Sequence, residues 1–218
     1  MTEAIVLSVP PFIHIQPETK KITRRMRKDS TNEELLWELK CGNKDVFPQI
    51  VSRFKSQLFN VVFRFLGNRE DAEDVVQDSL IKVYLHIDKY DQAYKASTWI
   101  YTITMNLART SYKRKHRWLV LASSIMKDED SVDVIETAID YSLSPEFYSD
   151  SNFQQEMIEK ALSKVNPVFK EAMILRDIEG LQYEEIGEIL GLNLGTVKSR
   201  INRGREDFKK ILSKEMHK

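Results

Sequence analysis

Glycine and proline are scarce in this sequence, seven and six residues in 218, and nowhere does it sustain the every-other-residue alternation of a half-buried strand. These absences disfavour a turn-rich sheet and leave helices as the expected structure. The single cysteine, Cys41, excludes an intramolecular disulfide and fits a reducing compartment. No apolar run approaches the roughly 20 residues that span a bilayer. The opening "MTEAIVLSVPPFIHIQ" has no basic stretch ahead of its apolar residues, so no signal peptide is expected. Four histidines, His14, His86, His116 and His217, are scattered without carboxylate or thiol partners at ligand spacing. Cys41 has no evident base, and "GNRED" and "GLNLG" read as helix connections rather than phosphate loops. No catalysis, metal or cofactor is expected. The composition describes a cytoplasmic protein without membrane insertion.

Net charge is also missing, since 33 basic residues balance 33 acidic ones, but the balance hides segregation. Acid dominates from Glu70 to Asp91, and Gln92 to Arg117 contains no Asp or Glu. Asp128 to Asp150 is purely acidic, and basic residues dominate from Lys198 onward. Blocks of one sign point to different partners for different segments.

Residues 1–30 lack helical periodicity, carry Pro10, Pro11 and Pro17, and end near the basic "KKITRRMRK"; a flexible tail is expected. Ser30 with Glu33, or Thr31 with Glu34, has capping-box spacing ahead of a short helix that Gly42 stops. Asp45 opens a longer helix with Pro48 in its first turn, ended by Gly67-Asn68. Asp71 to about Ile87 and Thr98 to about Arg117 read as two more helices. Residues 119–151 form an acidic linker. Helices over Phe153–Lys164, Pro167–Asp177, Tyr183–Leu190 and Thr196–Leu212 follow. The expected fold is all-α, with two small helical domains, 31–118 and 152–218, joined by that linker.

Helical wheels place chemistry on three faces. In the third helix Val76, Leu80, Val83 and Ile87 point inward, while Asp71, Asp74 and Asp78 gather opposite them with Gln77 on the flank. Three neighbouring carboxylates suit a basic protein partner. Early acids also favour a helix N-terminus, which explains Asp71 and Asp74 better than Asp78. In the fourth helix Trp99, Ile100, Ile103 and Leu107 face inward. Thr102, Asn106, Arg109 and Lys113 form an outward stripe edged by Tyr101, Met105 and Tyr112. Cations for phosphate, flat groups for unstacked bases and an amide for base edges suit nucleic acid. An acid-free stripe also repels no phosphate.

In the last helix Val197, Ile201, Phe208 and Leu212 face the core. Ser199, Asn202 and Arg203 point away, flanked by Lys198, Arg200 and Arg205, and the Thr196 hydroxyl is placed to cap the helix. With the preceding short helix and the turn "GLNLG" this spacing is that of a helix-turn-helix, whose second helix enters the major groove. A helical hairpin with a solvated basic face has the same pattern.

"GNREDAEDVVQDSLIKVYLHI", "ASTWIYTITMNLARTSYKRKHR" and "GLNLGTVKSRINRGREDFKKIL" together resemble bacterial sigma factors of the extracytoplasmic-function (ECF) group of the sigma-70 family. The resemblance covers about residues 32–117 and 153–213. It implies a specificity subunit that binds core RNA polymerase, reads the −10 and −35 promoter elements and helps melt DNA. Asp71, Asp74, Gln77 and Asp78 would dock the polymerase's clamp coiled coil. The loop Asp91–Ser97 and the helix bearing Thr102, Asn106, Arg109 and Lys113 would engage the melted −10 element, where a base is flipped into a pocket. Thr196, Lys198, Ser199, Arg200, Asn202 and Arg203 would read the duplex −35 element. The acidic linker would thread toward the RNA exit path. An anti-sigma factor, or another protein that recruits the chain to DNA, stays open as a partner. Asn193 stands where many relatives have Pro, and Asn202 carries no inherited base preference. A stand-alone regulator using only the helix-turn-helix is the rival reading, and it leaves the acidic helix and the Trp99–Asn106 helix unexplained.

Overall fold

The computed structural model describes residues 30–125 and 152–216. The expected tail and most of the expected linker lie outside the described residues. Those described contain helices and no strand.

Each helix boundary has a local cause. In α1 (Asn32–Lys40) the structure selects the Thr31 capping box: the Glu34 amide donates to Thr31 Oγ1 at 3.2 Å and the Thr31 amide to Glu34 Oε2 at 3.0 Å. A 3₁₀ turn, Lys44–Val46, leads into α2 (Phe47–Leu66). Gly67 closes α2 in the left-handed conformation at φ 73°, its amide donating to the Phe63 carbonyl at 2.7 Å. The next residue, Asn68, already caps α3 (Arg69–Leu85), accepting from the Asp71 amide at 2.8 Å. Helix α4 runs from Ala96 to Ile125, beyond the expected end near Arg117.

The second set is α5 (Asn152–Lys164), α6 (Pro167–Asp177), α7 (Tyr183–Leu190) and α8 (Leu194–Met216). Asn166 caps α6 by accepting from the Val168 amide at 3.0 Å. At the start of α8 the cap is Asn193 and not Thr196: the Asn193 Oδ1 accepts from the Thr196 amide at 2.8 Å. The helix begins two residues earlier than expected because Asn, a better cap than Thr, precedes it.

Helix α2 buries Ile50, Phe54, Leu58, Val61, Val62 and Phe65 in one stripe, against which α3 packs Ala72, Val75, Val76, Leu80 and Val83. Each fully buried large side chain contributes about 1.5–3 kcal/mol. The core does not stop at the end of α4. Ile174, Leu175, Ile186, Ile189, Val197 and Ile201 belong to the same continuous cluster, with α6 packed on α2 and α7 on α4. The described residues from Thr31 onward thus form one compact unit, in which the two sets of helices pack against each other. This packing corrects the expected orientation of α4. Ile100 is buried as expected, but Trp99, Ile103 and Leu107 are only half-buried, while Tyr101 and Met105, expected to edge an outer stripe, are buried. Their side of α4 is covered by the second set of helices. Where α8 crosses α6, Gly204 is buried, and a Cβ there would lie 3.0 Å from the Phe169 carbonyl and 3.1 Å from Met173 Cβ.

Candidate nucleic-acid interface

Three exposed faces carry the residues singled out from sequence. On α3, Asp74, Gln77 and Asp78 are exposed, and the stripe continues one and two turns on into Ile81 and Leu85, 47% and 63% exposed. Asp71 does not join them as a free carboxylate. It is half-buried and ion-paired with Lys115 of α4 at 2.7 Å. The acidic face is therefore narrower than the wheel suggests and ends in apolar rather than charged groups.

On α4, Asn106 and Lys113 are exposed and Thr102 and Arg109 half-buried. Thr102 turns its hydroxyl back to the Thr98 carbonyl at 2.8 Å, a bond common for Thr within helices. Arg109 is held twice: its NH1 donates to Asn106 Oδ1 at 3.3 Å, and its Nε to Glu171 Oε2 of α6 at 2.7 Å. At the start of α8, Lys198, Ser199, Asn202 and Arg203 are exposed and Thr196 is half-buried. The Arg203 guanidinium sits 5.7 Å over the Phe169 ring, which steadies it while leaving its donors accessible. Arg200 instead turns toward α6, its NH1 3.2 Å from Glu171 Oε1.

The structure brings Arg109 and Arg200 onto opposite oxygens of one carboxylate, a juxtaposition that the sequence pattern does not reveal. Two further pairs join the same surfaces. The Tyr101 hydroxyl donates to Glu179 Oε2 at 2.6 Å; burial, then this bond, pushes that hydroxyl well above its ordinary range. Lys95 donates to Glu185 Oε1 at 2.8 Å. Desolvation would raise the Glu185 carboxyl, but the bonds from Lys95 and from the Gln182 amide outweigh it and hold the group below its usual value. Beside Glu171, Lys170 is buried with its ammonium 5.7 Å over the Phe65 ring, and burial pushes its amine down to about 8.

Sequence reasoning missed Lys170, Glu171, Glu179 and Glu185. The available signal is the density of apolar residues in "PVFKEAMIL". Residues 170–175 are buried without a break, so the helix has no free side on which to leave its charges. Among the described residues no three His, Cys, Asp or Glu side chains cluster to hold a metal ion, and no helix is long and apolar enough to cross a membrane.

Residues 50–118 match the Sigma-70 region 2 family model and residues 155–208 the Sigma-70 region 4 model. The ECF RNA polymerase sigma factor SigW of Bacillus subtilis is 34% identical over 175 residues, covering 80% of this chain and 93% of that protein. The chain belongs to the ECF RNA polymerase sigma factors. It is a polymerase-binding factor for promoter-specific initiation. Two solved sigma factors share its fold. CnrH, determined with the cytosolic domain of CnrY, has a TM-score of 0.62 at 21% identity, covering 84% of this chain and 97% of CnrH. RpoE of Bartonella quintana, determined with the anti-sigma factor NepR, has a TM-score of 0.59 at 23% identity, covering 77% and 96%. In this sigma factor, region 2 spans most of α2, all of α3 and the basic part of α4, and region 4 spans most of α5, all of α6 and α7 and the first four turns of α8.

Proposed function

We propose that this sigma factor divides its work among the three faces. Asp71, Asp74, Gln77 and Asp78 of α3 form the contact with core polymerase. Thr102, Asn106, Arg109 and Lys113 of α4 take the melted −10 strand, and Thr196, Lys198, Ser199, Arg200, Asn202 and Arg203 of α8 take the −35 duplex. The observation that carries this reading is the exposure of Asp74, Gln77 and Asp78 beside Ile81 and Leu85. Two carboxylates that pair with no described residue next to bare apolar surface suit a protein partner that is both basic and apolar. The two DNA faces carry amide, hydroxyl and guanidinium groups suited to base edges and phosphates.

In this reading the chain is a cytoplasmic, non-catalytic specificity subunit that needs no cofactor. Residues 31–118 and 152–218 are its two functional domains, and an anti-sigma factor is a further partner. Co-purification with core RNA polymerase tests the assignment. Wild type is expected to be retained, and Asp74→Arg/Asp78→Arg to be lost, because like charges brought together at an interface cost several kilocalories per mole. Retention of the double variant at wild-type level would refute the α3 assignment. A wild type that ignores polymerase but shifts duplex DNA would favour a stand-alone regulator.

A further inference from the structure

Helix α4 begins without a local cap. Its first helical bond runs from the Trp99 amide to the Lys95 carbonyl at 3.2 Å, which puts Lys95 at the capping position. A lysine side chain has three donors and no acceptor, so it cannot take an orphan amide of the first turn. The acceptor comes instead from α1: the Ala96 amide donates to Glu33 Oε1 at 3.0 Å, across 63 positions of sequence. A carboxylate also suits the positive end of the helix dipole. Two turns further along α1, Lys40 donates to the Tyr90 carbonyl at 2.5 Å. Residues seven apart lie on one side of a helix, about 10 Å from each other along its axis. The Thr31 capping box and the buried Leu35, Leu36 and Leu39 fix where α1 starts and how it is rotated. Helix α1 thus grips both ends of the exposed loop 91–95.

The loop is also braced from within. The carboxylate and the carbonyl of Asp91 accept from the Ala93 and Tyr94 amides at 2.9 and 3.1 Å. From beneath, the Tyr90 hydroxyl donates to the Tyr94 carbonyl at 3.1 Å. Tyr90 is 1% exposed, its ring 5.3 Å from that of Trp99. Burial, then the charges of Glu33 and Asp91, holds its hydroxyl above the ordinary range, so it stays a donor. The aromatic side chain that this frame turns to water is Tyr94, 53% exposed.

We infer that α1 is a positioning element for promoter opening: Glu33 and Lys40 set the loop 91–95 so that Tyr94 stacks on an unpaired base of the −10 strand. The inference rests on the assignment of α4 to that strand. Stacking on an aromatic ring tolerates any sequence, because every base has a flat face. Bracing matters because a loop ordered beforehand loses little conformational freedom when the strand arrives. Asn106 lies ten residues beyond Ala96, about 15 Å along α4, so loop and helix address different positions of one strand. Glu33 and Lys40 touch no DNA in this arrangement and act through the loop.

The test uses the full chain, free and bound to core polymerase. Hydrogen exchange of the free chain reads the loop. Opening is read on a promoter selected from a randomised duplex library by transcription with the wild-type holoenzyme, with closed-complex affinity and opening rate measured separately. Glu33→Ala and Lys40→Met should speed exchange of amides 91–96 and slow opening about tenfold, with polymerase retention and closed-complex affinity unchanged. Glu33→Gln keeps the acceptor and Lys40→Arg the donor, and each should restore both readouts. Tyr94→Ala should slow opening to the same degree while the Ala96 amide keeps its wild-type exchange. Val62→Ala, a truncation in the buried stripe of α2, should lower the urea midpoint and leave the opening rate unchanged.

Unchanged loop exchange in both α1 variants overturns the grip. Faster exchange with normal opening overturns its part in reading DNA, and normal opening by Tyr94→Ala overturns the stacking contact. Equal slowing by Val62→Ala would reduce the effect to lost stability and overturn the positioning role. Asn106→Ala, run alongside, separates the two levels. If it slows opening and the loop variants do not, the assignment of α4 stands and this inference falls. If neither slows opening, the assignment falls and takes the inference with it. Should Glu33→Ala prevent folding, Lys40→Met and Tyr94→Ala carry the same test.

Discussion

Lys170 and Arg203 show how differently two basic side chains are used. The Lys170 amine is buried, and its value falls from 10.5 to about 8. Below about pH 8 it is charged in both folded and unfolded chains, and the penalty for burying it is constant. Between about 8 and 10.5 the folded chain has released a proton that the unfolded chain retains, so this group's contribution to stability rises with pH through that window. Lys170→Met is therefore expected to stabilise the chain at pH 7, by up to roughly 3 kcal/mol at about 1.4 kcal/mol per pKa unit. Urea denaturation of both proteins should show the difference narrowing between pH 8 and 10.5; a difference independent of pH would mean that the amine is not desolvated. Arg203 has its charge at the surface over Phe169. Arg203→Ala should weaken binding of the holoenzyme to −35 duplex by about 1–3 kcal/mol if a base contact is lost, and leave polymerase retention unchanged in a pull-down.

At the scale of the helix, Gly204 and Asn106 carry separate predictions. Gly204 lets α8 lie against the backbone of α6. The Phe169 carbonyl, 3.0 Å from where a Cβ would stand, cannot move independently of its helix. Gly204→Val should cost ~1–3 kcal/mol as overpacking, read as a lower urea midpoint with an unchanged slope. Asn106→Ala should impair promoter opening, followed by permanganate reactivity of unpaired thymines, while polymerase binding persists. Helix positions are legible in the sequence because their stops and starts are local chemistry: Thr31 with Glu34, Gly67 with Asn68, Asn166 with Pro167, and Gly191. The exposed faces of α3 and α8 are legible for the same reason, since one apolar stripe defines the side opposite it. The outcome at α4 differs because periodicity assumes a single covered face. Covering by α7 buries Tyr101 and Met105 as well. Thr196 has the residue type of a cap but not the role, because Asn193, three residues earlier, takes its amide.

For the whole molecule, the contacts between the two sets of helices follow from no sequence pattern, because they pair charges dozens of residues apart within segments that each look self-sufficient. Their effect is unequal among the proposed working faces. Arg109 and Arg200 are engaged inside the unit, whereas Asp74, Gln77 and Asp78 stay exposed. With the proposed polymerase face already exposed, binding to polymerase is expected to need no prior rearrangement. Its encounter rate is then set by diffusion and electrostatic steering, and falls with salt.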